Sequence, residues 1–300
     1  MLLDDIINPL FLRVEKYIQR NIILLIGIFI TSITIIIFTI IPLLQTPLLK
    51  VSFLDVGQGD AIFIQAPNGR KLLIDAGPDQ SVIEEIGKLL PFFDRRIDMI
   101  LATHSDADHI GGFSYLFDRY YIPLVIESEI ASPTVVNRVF NEKQENEKSA
   151  RLFSRTGERI ILDPKRNIII DVLFPDQNPE NWETNEASIV VKVSYGETAF
   201  LLTGDAPSDV ENHLVDIYGN QLQSNVLKLG HHGSKTSTSE LFLQTVQPEY
   251  AIVSAGLGNR YGHPHSEVLE QVENYKVRIL ETTSSGTIQC LSNGVRVLCS

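Results

Sequence analysis

At 300 residues, 44% of them hydrophobic and 21% charged, the chain has the composition of an ordinary folded protein with room for one large domain or two small ones. A net charge of −12 excludes tight non-specific binding of nucleic acid by the surface as a whole, because such binding needs phosphates neutralised by Lys and Arg; a local basic groove stays open. The first fifty residues hold four Lys/Arg against three Asp/Glu, so the negative excess lies entirely in the remainder.

The predicted elements begin with an uncharged apolar run over residues 22–41, long enough to cross a bilayer as one helix. A cleaved signal peptide has a shorter apolar core of roughly 7–15 residues and a small-residue cleavage site, which is missing here. The expected organisation is a cytoplasmic tail (1–21), a transmembrane anchor (22–44), a linker (45–50) and a folded domain (51–300). Arg13, Lys16 and Arg20 precede the span and Lys50 is the first basic residue after it, which places the folded domain outside the cytoplasm.

Strands are expected at 51–56, 61–65 and 71–77, joined by the turns Gly57-Gln58-Gly59-Asp60 and Asn68-Gly69. A helix over 80–90 and a buried strand over 97–102 follow, then a loop, a helix over 112–120 and a strand over 122–126. The mixed charges of 135–153 predict a polar helix with a solvated face, a substrate-side lid being the lesser alternative. Further strands are expected at 159–162, 168–174, 188–195, 198–203, 225–229 and 250–254, with helices over 207–218, from about 238, and after 265. Strands at 277–281 and 286–291 and a terminal hairpin close the chain. Strands and helices alternating in two similar halves, with no linker between them, predict one α/β domain of two face-to-face sheets covered by helices. The two cysteines, Cys290 and Cys299, flank Asn293-Gly294; a two-residue turn there puts them diagonally across the hairpin, long for a disulfide without a bulge, so a bridge and two buried thiols both stay open.

The chemistry gathers at strand ends. His104, Asp106, Asp108 and His109 fall within six residues after the 97–102 strand, and two imidazoles with two carboxylates suit a divalent cation or a pair sharing ligands. Six of the seven histidines occur in three places (104/109, 231/232 and 263/265), each after an expected strand, as do Asp75 and Asp205. The seventh, His213, reads as an ordinary helix-surface residue.

Seven stretches in order carry a resemblance: 54–60 (LDVGQGD), 73–77 (LIDAG), 103–112 (THSDADHIGG), 185–190 (NEASIV), 201–206 (LLTGDA), 227–237 (LKLGHHGSKTS) and 259–265 (NRYGHPH). Residues 51–300 thereby resemble the metallo-β-lactamase superfamily, in particular its ComEC-like competence branch. The resemblance implies a four-layer αββα sandwich with a two-metal site at one edge. His104 and Asp106 would serve the first metal, Asp108 and His109 the second, and Asp205 would bridge. His231 and His263 would complete the shells, leaving His232 and His265 as outer or acid/base groups, with either pair free to exchange roles. Asp75 would orient a ligand or the attacking water, and Asn185 and Ser188 would stand behind the ligands. Two departures from the broader superfamily matter: Asp106 replaces an imidazole in the His-x-His-x-Asp-His pattern, and no histidine lies between His109 and Asp205. The harder donor set makes Mn²⁺ a rival to Zn²⁺, with one or two ions bound.

Such a centre activates water against an electrophile, and Asp108, His231, His232 and Asp75 are the residues expected to act in that step. Ser234, Lys235 and Thr236 open a turn into a helix, with Ser237 and Glu240 spaced as a capping box. Free N–H groups there would seat a phosphate, the alternative being a plain helix cap. The expected activity is that of a membrane-anchored phosphodiesterase or nuclease, with a phosphodiester, possibly DNA, as substrate. The alternatives are a hydrolase of small esters or envelope phosphodiesters and a tethered docking module without catalysis. With a single span the chain forms no DNA channel alone, so it is expected either to partner a separate channel or DNA-binding protein or to act as an independent envelope hydrolase, the acidic surface favouring the second.

Overall fold

The computed structural model describes residues 4–44, 47–130, 132–178 and 182–300. The chain divides into two compact units, 1–47 and 48–300. In the first, helix α1 (Asp4–Leu44) runs unbroken through both the expected tail and the expected span. Its segment Phe11–Ile36, with mean hydropathy 1.8, is long and apolar enough to cross a bilayer. Residues 45 and 46 of the expected linker lie outside the described residues. The rest of that linker is not a free connection: β1 (Leu49–Phe53) already begins there, and Leu49 is fully buried.

In the second unit, the elements from β1 onward alternate much as expected. They are β2 (Ile62–Gln65), β3 (Lys71–Ile74), α2 (Ser81–Leu89), β4 (Met99–Ala102), α3 (Ala107–Ile110), α4 (Phe113–Phe117), β5 (Leu124–Glu127), α5 (Val135–Glu147) and β6 (Ala150–Phe153). They continue with β7 (Arg159–Asp163), β8 (Ile168–Phe174), β9 (Val190–Tyr195), β10 (Thr198–Leu202), α6 (Ser208–Tyr218), β11 (Val226–Lys228), α7 (Glu240–Val246), β12 (Tyr250–Val253), α8 (Ser266–Asn274), β13 (Arg278–Glu281), α9 (Thr282–Ser285), β14 (Ile288–Ser292) and β15 (Val297–Cys299). Two local expectations fail. The polar helix stops at Glu147, because Lys148 turns left-handed at φ 56° and the chain then pairs as β6 beside β5. The ligand loop itself holds a short helix, α3, and the helix expected over 112–120 is the shorter α4, after Gly111-Gly112.

Among the described residues the strands form two sheets, ordered β15-β14-β1-β2-β3-β4-β5-β6 and β13-β12-β11-β10-β9-β8-β7. Period-two alternation sorts their side chains. Leu72 and Ile74 face the other sheet and meet Ile170, Val191, Val193, Phe200 and Leu202 in the central core. Leu73, Phe63 and Ile100 face outward under α2, α4 and α5 through Ile86, Phe113 and Phe140. On the far side Leu201, Leu227 and Val253 lie under α6, α7 and α8 through Leu214, Phe242 and Val272. Central strands such as β3 and β4, buried on both faces, therefore read as unbroken apolar runs. This is the expected αββα sandwich.

The terminal hairpin corrects the cysteine geometry. Its loop holds four residues, Asn293 to Arg296, rather than two, so Ser292 pairs with Val297 and Cys290 sits directly opposite Cys299. The two form a disulfide across the pair.

Candidate metal centre

The parallel strands β3 and β4 of one sheet and β10, β11 and β12 of the other all end toward the same edge, and their following loops carry the polar residues. Binding at the carboxyl ends of parallel strands is the general habit of α/β folds. Close backbone approach makes the edge compact. A Cβ on Gly59 would stand 2.0 Å from the Asp108 carbonyl oxygen, so only glycine lets the Gly57–Asp60 turn lie against the ligand loop.

Four imidazoles approach Asp205, three of them buried. His109 Nε2 lies 3.3 Å from Asp205 Oδ1, and His104 Nε2 and His232 Nε2 lie 4.0 and 3.5 Å from Oδ2. His232 Nε2 is also 3.5 Å from Asp108 Oδ2. The three Nε2 atoms and Asp205 Oδ1 are buried and have no hydrogen-bond partner in the protein. Buried polar atoms left unpaired yet aimed at one another are expensive unless a cation joins them, so this donor set fits a divalent metal.

The hydrogen bonds behind the rings fix which nitrogen faces inward. Asp75 accepts from Thr103 N at 2.8 Å, Thr103 Oγ1 at 2.7 Å and His109 Nδ1 at 2.8 Å. Since Thr103 spends its only proton on Asp75, its oxygen accepts from His104 Nδ1 at 3.0 Å. His232 Nδ1 faces Asp60 Oδ1 at 3.3 Å. The His104 and His109 rings thus place their Nδ1 proton outward and their Nε2 at the centre, and His232 turns its Nδ1 toward Asp60 and its Nε2 inward, the arrangement metal-ligating histidines need. The backbone is bent to achieve it: Asp75, His231 and His232 hold φ of 55°, 48° and 56°, a region costing about 1–3 kcal/mol where no glycine relieves it.

The electrostatics agree. Burial pushes His232 down, but Asp205, Asp108 and Asp60 more than offset it and raise its pKa to about 9. Burial likewise opposes His109, which Asp205 and Asp75 hold well above its ordinary value. For Asp205 the reverse applies: burial would raise it, and His232 and His109 bring it well below the carboxylate range. Burial and its neighbour His109 lower His104. The pocket therefore has a negative potential that favours cations, and a metal would displace the Nε2 protons of His232 and His109.

The remaining expected residues fall into place around this cluster. Asp108 is partly exposed beside His232, whereas Asp106 lies 3.8 Å from His104 Nε2 and accepts weakly from Ser132 Oγ at 3.4 Å. Of the 231/232 pair, His232 takes the buried place, and His231 sits half-buried at the mouth with Nε2 3.7 Å from Asp205 Oδ2. His263 and His265 stand farther out: the His263 ring lies 5.3 Å from that of His231 and 5.0 Å from that of His265. Ser188 Oγ accepts from Asp205 N at 3.2 Å and so holds that residue's backbone. Among the described residues the Asn185 side chain makes no hydrogen bond through Oδ1. His213 pairs with Asp176 at 2.7 Å, away from the centre.

The phosphate seat expected at Ser234, Lys235 and Thr236 is corrected. The buried Glu211 carboxylate already takes the Thr238 and Ser239 N–H groups, each at 2.7 Å. Lys235 N donates to His265 Nδ1, Thr236 N to Ser234 Oγ, and Ser237 Oγ to Ala206 O. The helix cap is Ser239, whose hydroxyl accepts from Phe242 N. What remains for a ligand is the exposed Lys235 side chain.

Two residues escaped the sequence reading. Asp60 and Lys228 are both fully buried and form an ion pair of 2.9 Å directly behind His232. Burial would raise Asp60, but Lys228 first and then His232 hold it far below the usual carboxylate range. The available signal was a lysine between two leucines in a strand, since a charge there must find a buried partner.

Fold, donor set and sequence agree on a class. Residues 54–256 match the Metallo-beta-lactamase superfamily, and the chain belongs to it. Among its relatives, ComE operon protein 3 of Bacillus subtilis is 34% identical over 258 residues, covering 80% of this chain. Competence protein ComA of Neisseria gonorrhoeae is 32% identical over 80% of the chain, and Recombination protein 2 of Haemophilus influenzae is 33% identical over 88%. The chain spans only about a third of the length of these relatives, 31 to 32%. Among solved structures, the metallo-beta-lactamase fold protein YhfI of Bacillus subtilis superposes with TM-score 0.56 at 11% identity, covering 84% of this chain and all of YhfI. CmlA, a diiron beta-hydroxylase of Streptomyces venezuelae, superposes with TM-score 0.54 at 12% identity, over 83% of this chain and 54% of CmlA. These two likenesses establish the fold alone.

Proposed function

We propose that the chain is a membrane-anchored, metal-dependent phosphodiesterase working outside the cytoplasm, with DNA as its substrate. The observation that carries this reading is the set of unpaired inward Nε2 atoms of His104, His109 and His232 around Asp205, in a superfamily of metal-dependent hydrolases. The relatives named for competence and recombination support DNA, and α1 supports the anchor. The Cys290–Cys299 bridge supports an oxidising compartment.

His104, His109, His232, Asp108 and Asp205 would hold the divalent ions, with Asp106 close to His104. When bound, such ions supply Lewis-acid charge and a water acidified to near neutrality. The protein's own part is preorganisation. Asp75 and Thr103 lock His109 and His104, and Asp60 with Lys228 locks His232. His231 lies at the mouth, held below its ordinary pKa by burial. That favours its accepting a proton from the attacking water over donating one. A second reading, hydrolysis of small diesters, is favoured by the net charge of −12, which repels a polyanion.

The test uses the full chain in detergent micelles. Its metal content is measured, then cleavage of single- and double-stranded DNA with Mn²⁺ or Zn²⁺. Metal-dependent cutting that Asp108→Ala with His109→Ala abolishes is the expected result. Bound metal with turnover of small diesters alone moves the reading to the second, and no metal with no turnover leaves a docking module.

A further inference from the structure

The loop between β12 and α8 carries His263 and His265, and it is firmly tied. Asn259 Nδ2 donates to the carbonyls of Gly256 and His263 at 2.9 and 2.5 Å, while its Oδ1 accepts from Tyr261 N and His263 N at 3.1 and 3.0 Å. Gly256 N in turn donates to Gln58 Oε1 at 3.1 Å, fastening the loop to the turn that packs on Asp108. On this frame stands a column of side chains. The Arg260 guanidinium lies 4.7 Å above the Tyr261 ring and donates to its hydroxyl. Tyr261 stacks on His263 at 5.6 Å with planes 21° apart, and His263 meets His231 at the mouth of the metal centre.

The outer end of that column is a cation with no ion-pair partner among the described residues. Lys235 likewise makes none, and what sets these two apart from unpaired cations elsewhere, such as Arg278, is their place beside the metal centre. Both flank the same two histidines, Lys235 through its backbone bond to His265 and Arg260 through Tyr261. Arg260 is also near enough to Asp108 to feel that carboxylate, after the larger effect of the Tyr261 hydroxyl, and both raise its pKa. A guanidinium resting on an aromatic face keeps most of its fork of N–H donors free, and its side-chain entropy is already lost. Those are the properties of a phosphate clamp.

We propose that Arg260, positioned by Tyr261, seats a phosphate farther along the strand from the one at the metal centre, so that the site takes a strand of several nucleotides rather than a lone diester. This rests on the phosphodiesterase reading above and specifies its substrate class. Successive spacings of 4.7, 5.6 and 5.3 Å lead from Arg260 through Tyr261 and His263 to His231, which sets the clamped group farther along the strand from the group under attack. Lys235, on the other side of His265, extends the same strip of positive charge. The strip explains how an acidic protein engages a polyanion: the attraction is local, at the mouth.

The experiment uses the metal-loaded full chain and two probes, a fluorescent twelve-residue oligothymidylate and bis(p-nitrophenyl) phosphate, which carries one phosphate. Arg260→Ala is expected to raise KM and Kd for the oligonucleotide about tenfold with kcat within about twofold, and to flatten the slope of log affinity against log salt by about 0.7. Arg260→Lys recovers part of the loss. Tyr261→Phe loses a smaller part, since it keeps the ring and drops the hydroxyl. Arg278→Ala, at the start of β13 on the opposite edge, removes the same charge and leaves oligonucleotide affinity unchanged. Equal losses in Arg260→Ala and Arg278→Ala, no loss in either, or a fall in kcat with KM unchanged would each overturn the proposal. A wild-type protein that cleaves only the small diester and binds no oligonucleotide overturns it while the hydrolase stands. Oligonucleotide binding through Arg260 without turnover of any substrate retains the clamp and removes the hydrolase.

Discussion

Lys228 and Asp60 show how much the centre depends on groups that never face a ligand. Their charges are fully buried, and each is tolerable only because the other is 2.9 Å away. Removing one member of such a pair leaves an uncompensated buried charge at a cost of about 3–5 kcal/mol. Lys228→Met should therefore lower the denaturant midpoint sharply, and Lys228→Met with Asp60→Asn should recover much of the loss; a double variant no more stable than the single would contradict this. His104, Asp108, His109 and Asp205 were legible as candidate ligands because their spacing at strand ends carries the chemistry. That His232 rather than His231 takes the buried place beside Asp205 was not legible. It depends on two successive left-handed residues, His231 and His232, which turn adjacent side chains in different directions. Asp60 stood in plain view in a Gly-x-Gly turn, yet its role exists only through Lys228, far along the chain.

At the scale of elements, α6 and the turn before α7 are joined by Glu211, whose carboxylate occupies the N–H groups that a phosphate would otherwise use. Burial raises its pKa from 4.5 to about 7, against the lowering effect of the Ser239 and Thr238 N–H groups. A raised acid binds its proton more tightly in the folded state than in the unfolded one. The associated stability is present below about pH 4.5 and is lost as pH climbs through about 7, a change of up to about 3 kcal/mol. Urea midpoints of the wild type should fall between pH 5 and 8 relative to those of Glu211→Gln, and parallel pH profiles would refute the assignment. Alternating apolar residues made the strands readable, and the two sheets followed. The missed β6 is the instructive exception: all four of its residues are exposed, so no buried face marked it in the sequence. Cys290 and Cys299 were misplaced for a related reason, since Asn293-Gly294 signals a two-residue turn and the hairpin uses four.

For the whole molecule, the anchor and the disulfide make one joint prediction about address. If α1 holds the domain outside the cytoplasm, Cys290 and Cys299 are oxidised in the cell. Acid quenching of membranes followed by alkylation should find both thiols blocked until a reductant is added; free thiols in freshly quenched membranes would place the domain in a reducing compartment. Cys299→Ala should lower stability by about 2–3 kcal/mol, the usual effect of closing a short loop.

Strand β1 has a temporal consequence. It is the first strand after the apolar helix, yet it lies between β2 and β14, and its Ser52 side chain meets Gln289, 237 residues later. During synthesis β1 emerges early and can pair with β2 at once, but its other edge stays open until β14 has been made. Such a distant pairing is slow, and an open apolar edge invites association with other chains meanwhile. Assembly of the eight-stranded sheet is therefore a closing event that waits for nearly the whole domain.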